Sequence, residues 1–330
     1  MLPKCIVKSV KIFHFACKKQ EIQTMTENLV GFVGIGAMGE PMALNLLQSG
    51  VPLVAWNRTA SKCLALQKAG AEIANSLDDV FFKTTIIIVM LFNGEAIDST
   101  FERGTPQFAN WMHGKILINM GTTQPHYSES LCLEVEEAGG NYIECPVSGS
   151  KRQAESRELV AMMAGKATLF PSITPLIKAM CKTVVPCGNI PGALNMKIAV
   201  NLYLLNMVTG LAEAYHFAEE KQLDTEKFVQ VLNASPMASA VSKIKLDKLL
   251  TRDFSKQASI IDVLAVANLI KEGLDETELD SPLARTSHAL YQEAVDMGYG
   301  EIDMIGIIEL LRARHLKTGN HWPKSKRNRK

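Results

Sequence analysis

Long apolar runs are missing from this chain of 330 residues. The longest, Ile86 to Phe92, suits a buried strand and falls far below the roughly 20 residues of a membrane-spanning helix. No membrane association is expected. Cysteine pairs are missing too. The seven cysteines, Cys5, Cys17, Cys63, Cys132, Cys145, Cys181 and Cys187, form no CxxC and have no histidine at ligand-like spacing. They read as reduced structural thiols of an intracellular protein, and no metal site is expected from the sequence. Internal repeats and low-complexity stretches are absent. So is a basic body. The net charge of +1 hides five Lys against two Glu before residue 28, and eight Lys or Arg with no acid from Arg312 to Lys330. Without those ends, 22 positive charges face 32 negative ones, a body near −10. An acidic body argues against nucleic acid as a partner, and the basic ends read as solvated tails.

What is present is enough for about two domains: 47% of the residues are hydrophobic and 21% charged, an ordinary globular mixture. Residues 1–24 are basic and hold no acid before Glu21, as mitochondrial presequences do, yet they lack Arg and are poor in Ser. A second Met stands at position 25, just before the first strand. Residues 1–27 are therefore read as an extension outside the fold. A cytoplasmic location follows, with a mitochondrial one as the alternative if residues 1–24 are a presequence.

From residue 28 to 190 short apolar runs alternate with helix-period stretches. Leu29–Val33, Val51–Trp56, Thr84–Leu91, Ile116–Asn119 and Asn141–Cys145 read as strands. Gly39–Ser49, Ser61–Ala69 and Tyr127–Ala138 read as helices. Such alternation builds βαβ units, a parallel sheet covered on both faces, and hence a doubly wound α/β Rossmann domain. Beyond Gly188 the pattern is only helical. Gly192 to Lys221 forms one long helix, apolar nearly all round through Leu194, Met196, Ile198, Val200, Leu202, Leu204 and Met207, so burial on more than one side is expected. Thr225–Asn233, Ser239–Leu250, Ile260–Lys271, Leu283–Met297 and Asp303–Leu311 follow as helices. Residues 191–315 thus form an all-helical domain, to which the resemblance drawn below assigns substrate binding and dimerisation, and 316–330 a basic tail.

The first strand runs into Gly34-Ile35-Gly36-Ala37-Met38-Gly39 and then a helix, the GxGxxG arrangement. Gly34 permits a tight turn, Gly36 lets the backbone approach a phosphate, and Gly39 allows close helix–strand packing. The helix N-terminus offers unpaired N–H groups and partial positive charge to a pyrophosphate. Alone this motif is weak; with strand, helix and second strand in place it indicates a dinucleotide. The second strand ends in Trp56-Asn57-Arg58-Thr59, without the acid that binds the ribose 2′-hydroxyl of NAD. Arg58 suits a 2′-phosphate, and Asn57 and Thr59 offer further hydrogen bonds, which favours NADP(H) over NAD(H).

Within the long helix Lys197 and Asn201 share one face, four residues apart. A lysine in so apolar a helix needs a partner or a task. Reducing an aldehyde requires a hydride and a proton, and an ammonium supplies the proton while stabilising the developing alkoxide. Asn201 orients the lysine or donates to the same oxygen. After the strand Asn141–Cys145, Ser148, Gly149 and Ser150 open a turn suited to a substrate carboxylate.

These segments in order, GxGxxG, Asn119-Met120-Gly121-Thr122-Thr123-Gln124-Pro125, Pro146-Val147-Ser148-Gly149-Ser150-Lys151 and the Lys197 to Asn201 stretch, resemble the β-hydroxyacid dehydrogenases, the group of 3-hydroxyisobutyrate dehydrogenase. The branch resembled most is that of the glyoxylate/succinic semialdehyde reductases. The resemblance spans Leu29 to about Leu311. It implies a homodimer or homotetramer interlocked through the long helix, cofactor contacts from Leu91 and Thr122, and substrate contacts from Ser148, Gly149, Ser150, Phe254 and Asp262. The chain departs from the family pattern at Gly121 (a serine there), Ile261 (a lysine) and Arg157 (a glycine).

The reading is an NADPH-dependent reductase of small aldehyde or oxo acids, such as glyoxylate, succinic semialdehyde or 3-hydroxyisobutyrate-type substrates, with Lys197 as proton donor. One rival is an imine reductase of the same architecture, although those carry Asp or Tyr where this chain has Lys197. The other is a catalytically silent dehydrogenase fold used for oligomerisation, against which Lys197 speaks.

Overall fold

The computed structural model describes residues 29–318. The extension 1–27 and the tail beyond 318, with the readings attached to them, lie outside the described residues. The chain divides into two compact units, with the division between Lys197 and Ile198, inside one long helix.

Among the described residues the first unit holds nine strands: β1 (Val30–Val33), β2 (Leu53–Trp56), β3 (Glu72–Ile73), β4 (Ile86–Val89), β5 (Ile116–Asn119), β6 (Asn141–Glu144), β7 (Val147–Ser148), β8 (Leu159–Gly165) and β9 (Cys181–Pro186). Its helices are α1 (Gly39–Gln48), α2 (Leu64–Lys68), α3 (Leu77–Lys83), α4 (Gly94–Phe101), α5 (Pro106–Met112), α6 (Pro125–Glu137), α7 (Lys151–Glu155) and α8 (Phe170–Lys178). Six strands are parallel in the order β3-β2-β1-β4-β5-β6. This is the dinucleotide-binding order, whose reversal between β1 and β4 opens a crevice at the strands' carboxyl ends.

Alternation along each strand divides the core between the two faces. Phe32, Ile88, Ile118 and Ile143 pack on one side, and Val33, Val89, Leu117 and Tyr142 on the other. Burial on both faces explains why these strands read as continuous apolar runs. The sheet continues past β6, through strands not named from the sequence. β8 joins it antiparallel, pairs with β7 further along, and carries β9 parallel on its other edge. The helices α3 to α5, unread in the sequence, are short and start at side-chain caps. Ser76, Asn93 and Thr105 each accept a bond from the backbone N–H three residues on.

The long helix α9 (Gly192–Glu220) is followed by α10 (Thr225–Ala234), α11 (Ala240–Thr251), α12 (Ile260–Glu276), α13 (Pro282–Asp296) and α14 (Ile307–Thr318). Among the described residues the second unit has no strand beyond an isolated bridge between Ser259 and Asp303. Leu205, Val208, Ala212, Leu246, Ile270, Tyr291 and Ile308 form its core. The all-round apolar character of α9 is only partly spent there. In the single chain Met196, Val200, Tyr203 and Phe217 are exposed, Tyr203 by 70%.

Candidate active site

The loop after β1 and the loop after β4 face a cleft of about 400 Å³. Gly34, Gly36, Ala37, Met38 and Gly39 line it, as do Asn57, Arg58 and Thr59 after β2 and Leu91 after β4. Ile35 is buried behind them, and its N–H donates to Asn57 Oδ1 at 2.9 Å, which ties the glycine loop to the end of β2.

Two glycines are required by the chain itself. Gly34 sits at φ +100°, and a Cβ there would meet the Met90 carbonyl oxygen at 2.3 Å. A Cβ on Gly39 would meet the Gly34 carbonyl oxygen at 2.0 Å. Gly36 differs: a Cβ there would meet nothing within 4 Å, although the residue lines the cleft. The bareness of Gly36 serves whatever enters. Helix α1 also begins without a side-chain cap; its Glu40 N–H is taken by the Gly36 carbonyl at 3.0 Å and Pro41 has none, so the N–H groups offered to an anion are those of the glycine loop leading into Gly39. The residues therefore fit a dinucleotide pyrophosphate. Trp56, Lys62, Met90, Phe92, Ala96 and Thr100 line the same cleft and were not read from the sequence. Lys62 lies on a short 3₁₀ turn, Ala60–Cys63, and places a second cation beside the cleft that Arg58 lines.

Lys197 is brought to the second candidate segment. Its Nζ donates to the carbonyl of Val147 at 2.5 Å, one residue before Ser148. No carboxylate pairs with it among the ion pairs of the described residues, and burial pushes its pKa down to about 8. The start of α9 is held by Glu144, a buried acid at the end of β6 that sequence reading missed. Its carboxylate accepts from the Leu194 N–H at 2.7 Å and from Ser128 Oγ at 2.6 Å. Burial raises the Glu144 pKa, and these hydrogen bonds oppose the rise. Glu144 thus fixes the helix turn from which Lys197 projects. Asn201 follows one helical turn later on α9.

Ser148 ends β7, and Gly149 turns the chain at φ +132°. Ser150 caps α7, with its N–H and hydroxyl both donating to Gln153 Oε1, at 2.9 and 2.6 Å. Its hydroxyl hydrogen is thereby committed, which leaves Ser148 as the freer hydroxyl of the pair. Thr122 follows Gly121 in the loop after β5. A Cβ at Gly121 would meet the Leu91 carbonyl oxygen at 2.6 Å, so the family's serine has no room with the loop in this position. The neighbouring Thr123 hydroxyl is buried with no hydrogen-bond partner. Arg157 stands where the family has glycine because the backbone is left-handed there, at φ +59°. Its side chain is anchored on Asn45 Oδ1 (3.1 Å) and Gln48 Oε1 (2.9 Å) of α1.

In the helical unit, Phe254 packs against the core and its carbonyl accepts from the Asp303 N–H at 3.0 Å. Asp262 completes a capping box at the start of α12, accepting from the Ser259 hydroxyl at 2.6 Å. Both have structural occupations, and their contact with substrate remains an expectation from the resemblance. Ile261, in place of the family's lysine, is 43% exposed on the first turn of α12.

A dinucleotide-type sheet, a phosphate-ready loop and a helical unit define a nicotinamide-nucleotide enzyme. Residues 29–188 match the NAD binding domain of 6-phosphogluconate dehydrogenase, and residues 192–311 match the family described as NAD-binding of NADP-dependent 3-hydroxyisobutyrate dehydrogenase. Glyoxylate/succinic semialdehyde reductase 1 of Arabidopsis thaliana is 28% identical over 86% of this chain and 98% of its own length. Mitochondrial 3-hydroxyisobutyrate dehydrogenase of Rattus norvegicus is 27% identical over 86% of this chain and 87% of its own length. Among solved structures, Mycobacterium tuberculosis 3-hydroxyisobutyrate dehydrogenase superposes with a TM-score of 0.78 at 19% identity, over 86% of this chain and 99% of that one. An imine reductase from Pseudomonas sp. shares the fold at a TM-score of 0.58 and 20% identity, with coverage of 86% and 99%. The chain belongs to the β-hydroxyacid dehydrogenase family, NAD(P)-dependent oxidoreductases acting on CH–OH groups. No helix among the described residues is long and apolar enough to cross a membrane.

Proposed function

We propose that the chain is an NADPH-dependent reductase of small, carboxylate-bearing aldehydes or oxo acids, with Lys197 as the proton donor. The observation that carries this reading is a buried ammonium whose one hydrogen-bond partner among the described residues is a carbonyl, beside the Ser148 turn. When bound, the reduced nicotinamide supplies the hydride to the carbonyl carbon. Lys197 gives its proton to the oxygen that gains the electron pair, and is left neutral. A pKa near 8 leaves the lysine mostly charged at neutral pH while making that proton easier to give. The turn from Ser148 to Ser150 would receive the substrate carboxylate, with Asn201 steadying the lysine or the reacting oxygen.

Preference for NADPH is supported by Arg58 and Lys62 lining the cleft beside an acid-free strand end. Assembly through a second copy is supported by the exposed stripe Met196, Val200 and Tyr203 on α9. Names of relatives favour glyoxylate, succinic semialdehyde or 3-hydroxyisobutyrate-type substrates.

The test is NADPH oxidation by the purified chain against glyoxylate, succinic semialdehyde, methylmalonate semialdehyde and a cyclic imine, with Lys197→Ala alongside. Turnover of the imine alone, or full activity in Lys197→Ala, overturns the mechanism; silence toward all four leaves the dehydrogenase fold without this activity. A doubly substituted Arg58→Ala, Lys62→Ala chain should lose affinity for NADPH while NADH binding stays level. Equal losses for both cofactors defeat the NADPH assignment.

A further inference from the structure

The helical unit carries a cluster of donors that the reductase chemistry does not use. His216 and Glu220 stand one turn apart near the end of α9, and His315 stands on α14. One potential ligand atom from each lies within 4.8 Å of the other two. Helical spacing of four puts His216 and Glu220 on one face, so two of the donors are paired by the backbone itself.

The hydrogen bonding is incomplete in a particular way. His216 Nδ1 is buried and has no hydrogen-bond partner. The carboxylates nearest to it, from Glu219 and Glu220, are 3.6 and 4.0 Å away, beyond hydrogen-bond reach. A buried, unsatisfied ring nitrogen costs free energy unless something occupies its lone pair or takes its proton. Glu219 does not meet that need, because Arg312 holds it through Nε at 3.0 Å and NH2 at 2.5 Å. Glu220 is the carboxylate left over, with His315 Nε2 3.0 Å from its Oε2. The two imidazoles meet edge to face, with centroids 5.8 Å apart.

Two imidazole nitrogens and one carboxylate make a borderline donor set, suited to zinc and its neighbours and poorly suited to magnesium or calcium, which take oxygen ligands. In a tetrahedral zinc site with bonds of about 2.0–2.1 Å, donors sit roughly 3.3–3.5 Å apart. Small side-chain rotations close the present spacing to that range. We infer that His216 Nδ1, Glu220 and His315 Nε2 bind one divalent transition cation of the zinc class, with water in the remaining position. Arg312 serves the site indirectly by keeping Glu219 out of it. Because the ligands come from α9 and α14, the cation clamps the last described helix to the long one, and its binding free energy adds to the stability of the helical unit. The assignment is independent of the reductase chemistry.

The experiment uses the full chain without an affinity tag, stripped with a chelator and titrated calorimetrically with zinc alone. One equivalent per chain with a Kd below ~10 µM is expected, together with a higher melting temperature in zinc and none in magnesium. Each of His216→Ala, Glu220→Gln and His315→Ala should weaken binding at least tenfold. Cobalt in the wild-type chain should show the visible bands of a four-coordinate site, and these should vanish in His315→Ala. His315 is half exposed, so its replacement leaves the metal-free fold intact and keeps the test sound if His216→Ala misfolds. Absence of a one-equivalent site in the wild type, or wild-type affinity in both His315→Ala and Glu220→Gln, overturns the inference.

Discussion

Lys245 and Lys197, one in each unit, are both drawn out of water, and they are treated in opposite ways. Lys245, in the helical unit, is 6% exposed and meets both oxygens of the fully buried Asp303, at 2.7 and 2.9 Å. Burial lowers its pKa, and Asp303 raises it again in part. Lys197, in the α/β unit, has a backbone carbonyl and, among the described residues, no ion-pair partner to answer its burial, so its pKa falls to about 8. A buried charge with a partner belongs to the architecture; one without is held ready for something that arrives. Lys245 is buried along its whole length and Lys197 mainly at its ammonium, and the two differ in where the compensation comes from.

Substituting each lysine in turn should separate those roles most strongly. Lys197→Ala should lower kcat/KM for reduction by ~10²–10⁴, the usual value of a positioned proton donor. Its urea midpoint should stay level or rise, since an uncompensated charge has been removed. Lys245→Ala should strand Asp303 in the core and cost ~3–5 kcal/mol of stability. Its folded fraction should keep a normal kcat. Chemical melts and steady-state rates on both variants suffice. A Lys197→Ala chain that unfolds while keeping its rate would reverse the comparison.

The three glycines of the cofactor loop repeat the distinction on the backbone. Gly34→Ala forces a side chain onto the Met90 carbonyl at a left-handed residue, and should destabilise the fold by about 2–4 kcal/mol. Gly36→Ala adds a methyl to open space, so its melt should be unchanged. Its NADPH affinity should still drop at least tenfold, about 1.4 kcal/mol, by fluorescence titration. A Gly36→Ala variant that binds normally would show the pyrophosphate elsewhere.

Much of this was legible in the sequence, for a reason that the two lysines illustrate. Strands β1, β4 and β5 announce themselves because burial on both faces demands apolar runs, and GxGxxG because two packing constraints, at Gly34 and Gly39, and one bare cleft-lining position, Gly36, fall within six residues. Lys197 stood out because its neighbours along the helix are apolar. What stayed hidden depends on partners distant in sequence. Glu144 looks like any strand-end acid until the Leu194 N–H arrives from 50 residues away. Lys62 looks like a solvated helix charge until its turn folds back to the cleft. Strand β9 is masked by its exposure, with Lys182, Thr183, Val185 and Pro186 all facing solvent, whereas β8 is a short buried apolar run that the sequence reading passed over. Gly121 and Arg157, departures without a reason in one dimension, acquire reasons only from the Leu91 carbonyl and from the Asn45 and Gln48 side chains that anchor the arginine. The cluster His216, Glu220 and His315 escaped because its third member lies on another helix.

Acidity offers a finer probe of Lys197. Folded, it loses its proton near pH 8; unfolded, near its ordinary 10.5. Between these values the unfolded chain holds more protons, so this residue's contribution to stability rises as pH rises through the window. Catalysis should move the other way. Reductive kcat/KM should be level below pH 8 and fall about tenfold per unit above it, as the ammonium disappears. Oxidation of the corresponding alcohol should gain across the same window, because it needs the neutral amine. An inflection near 8 that survives in Lys197→Ala would belong to another group.

The smallest effect tests whether a family departure is neutral or repaired. Arg157 occupies a left-handed conformation that costs a residue with a Cβ about 1 kcal/mol. It offsets that cost through hydrogen bonds to Asn45 and Gln48, each worth roughly 0.5–1.5 kcal/mol. Arg157→Gly removes the strain and the bonds together, so its stability should lie close to that of the parent chain. Arg157→Ala removes the bonds and keeps the strain, and should be less stable than the glycine variant by about 1 kcal/mol. That order inverts the usual one, in which alanine stabilises relative to glycine by stiffening the unfolded chain. Urea melts of the pair decide it. Alanine at or above glycine would mean that the turn relaxes out of its left-handed state once the arginine is gone, and that the side chain, rather than the fold of β8 and α7, imposes the conformation.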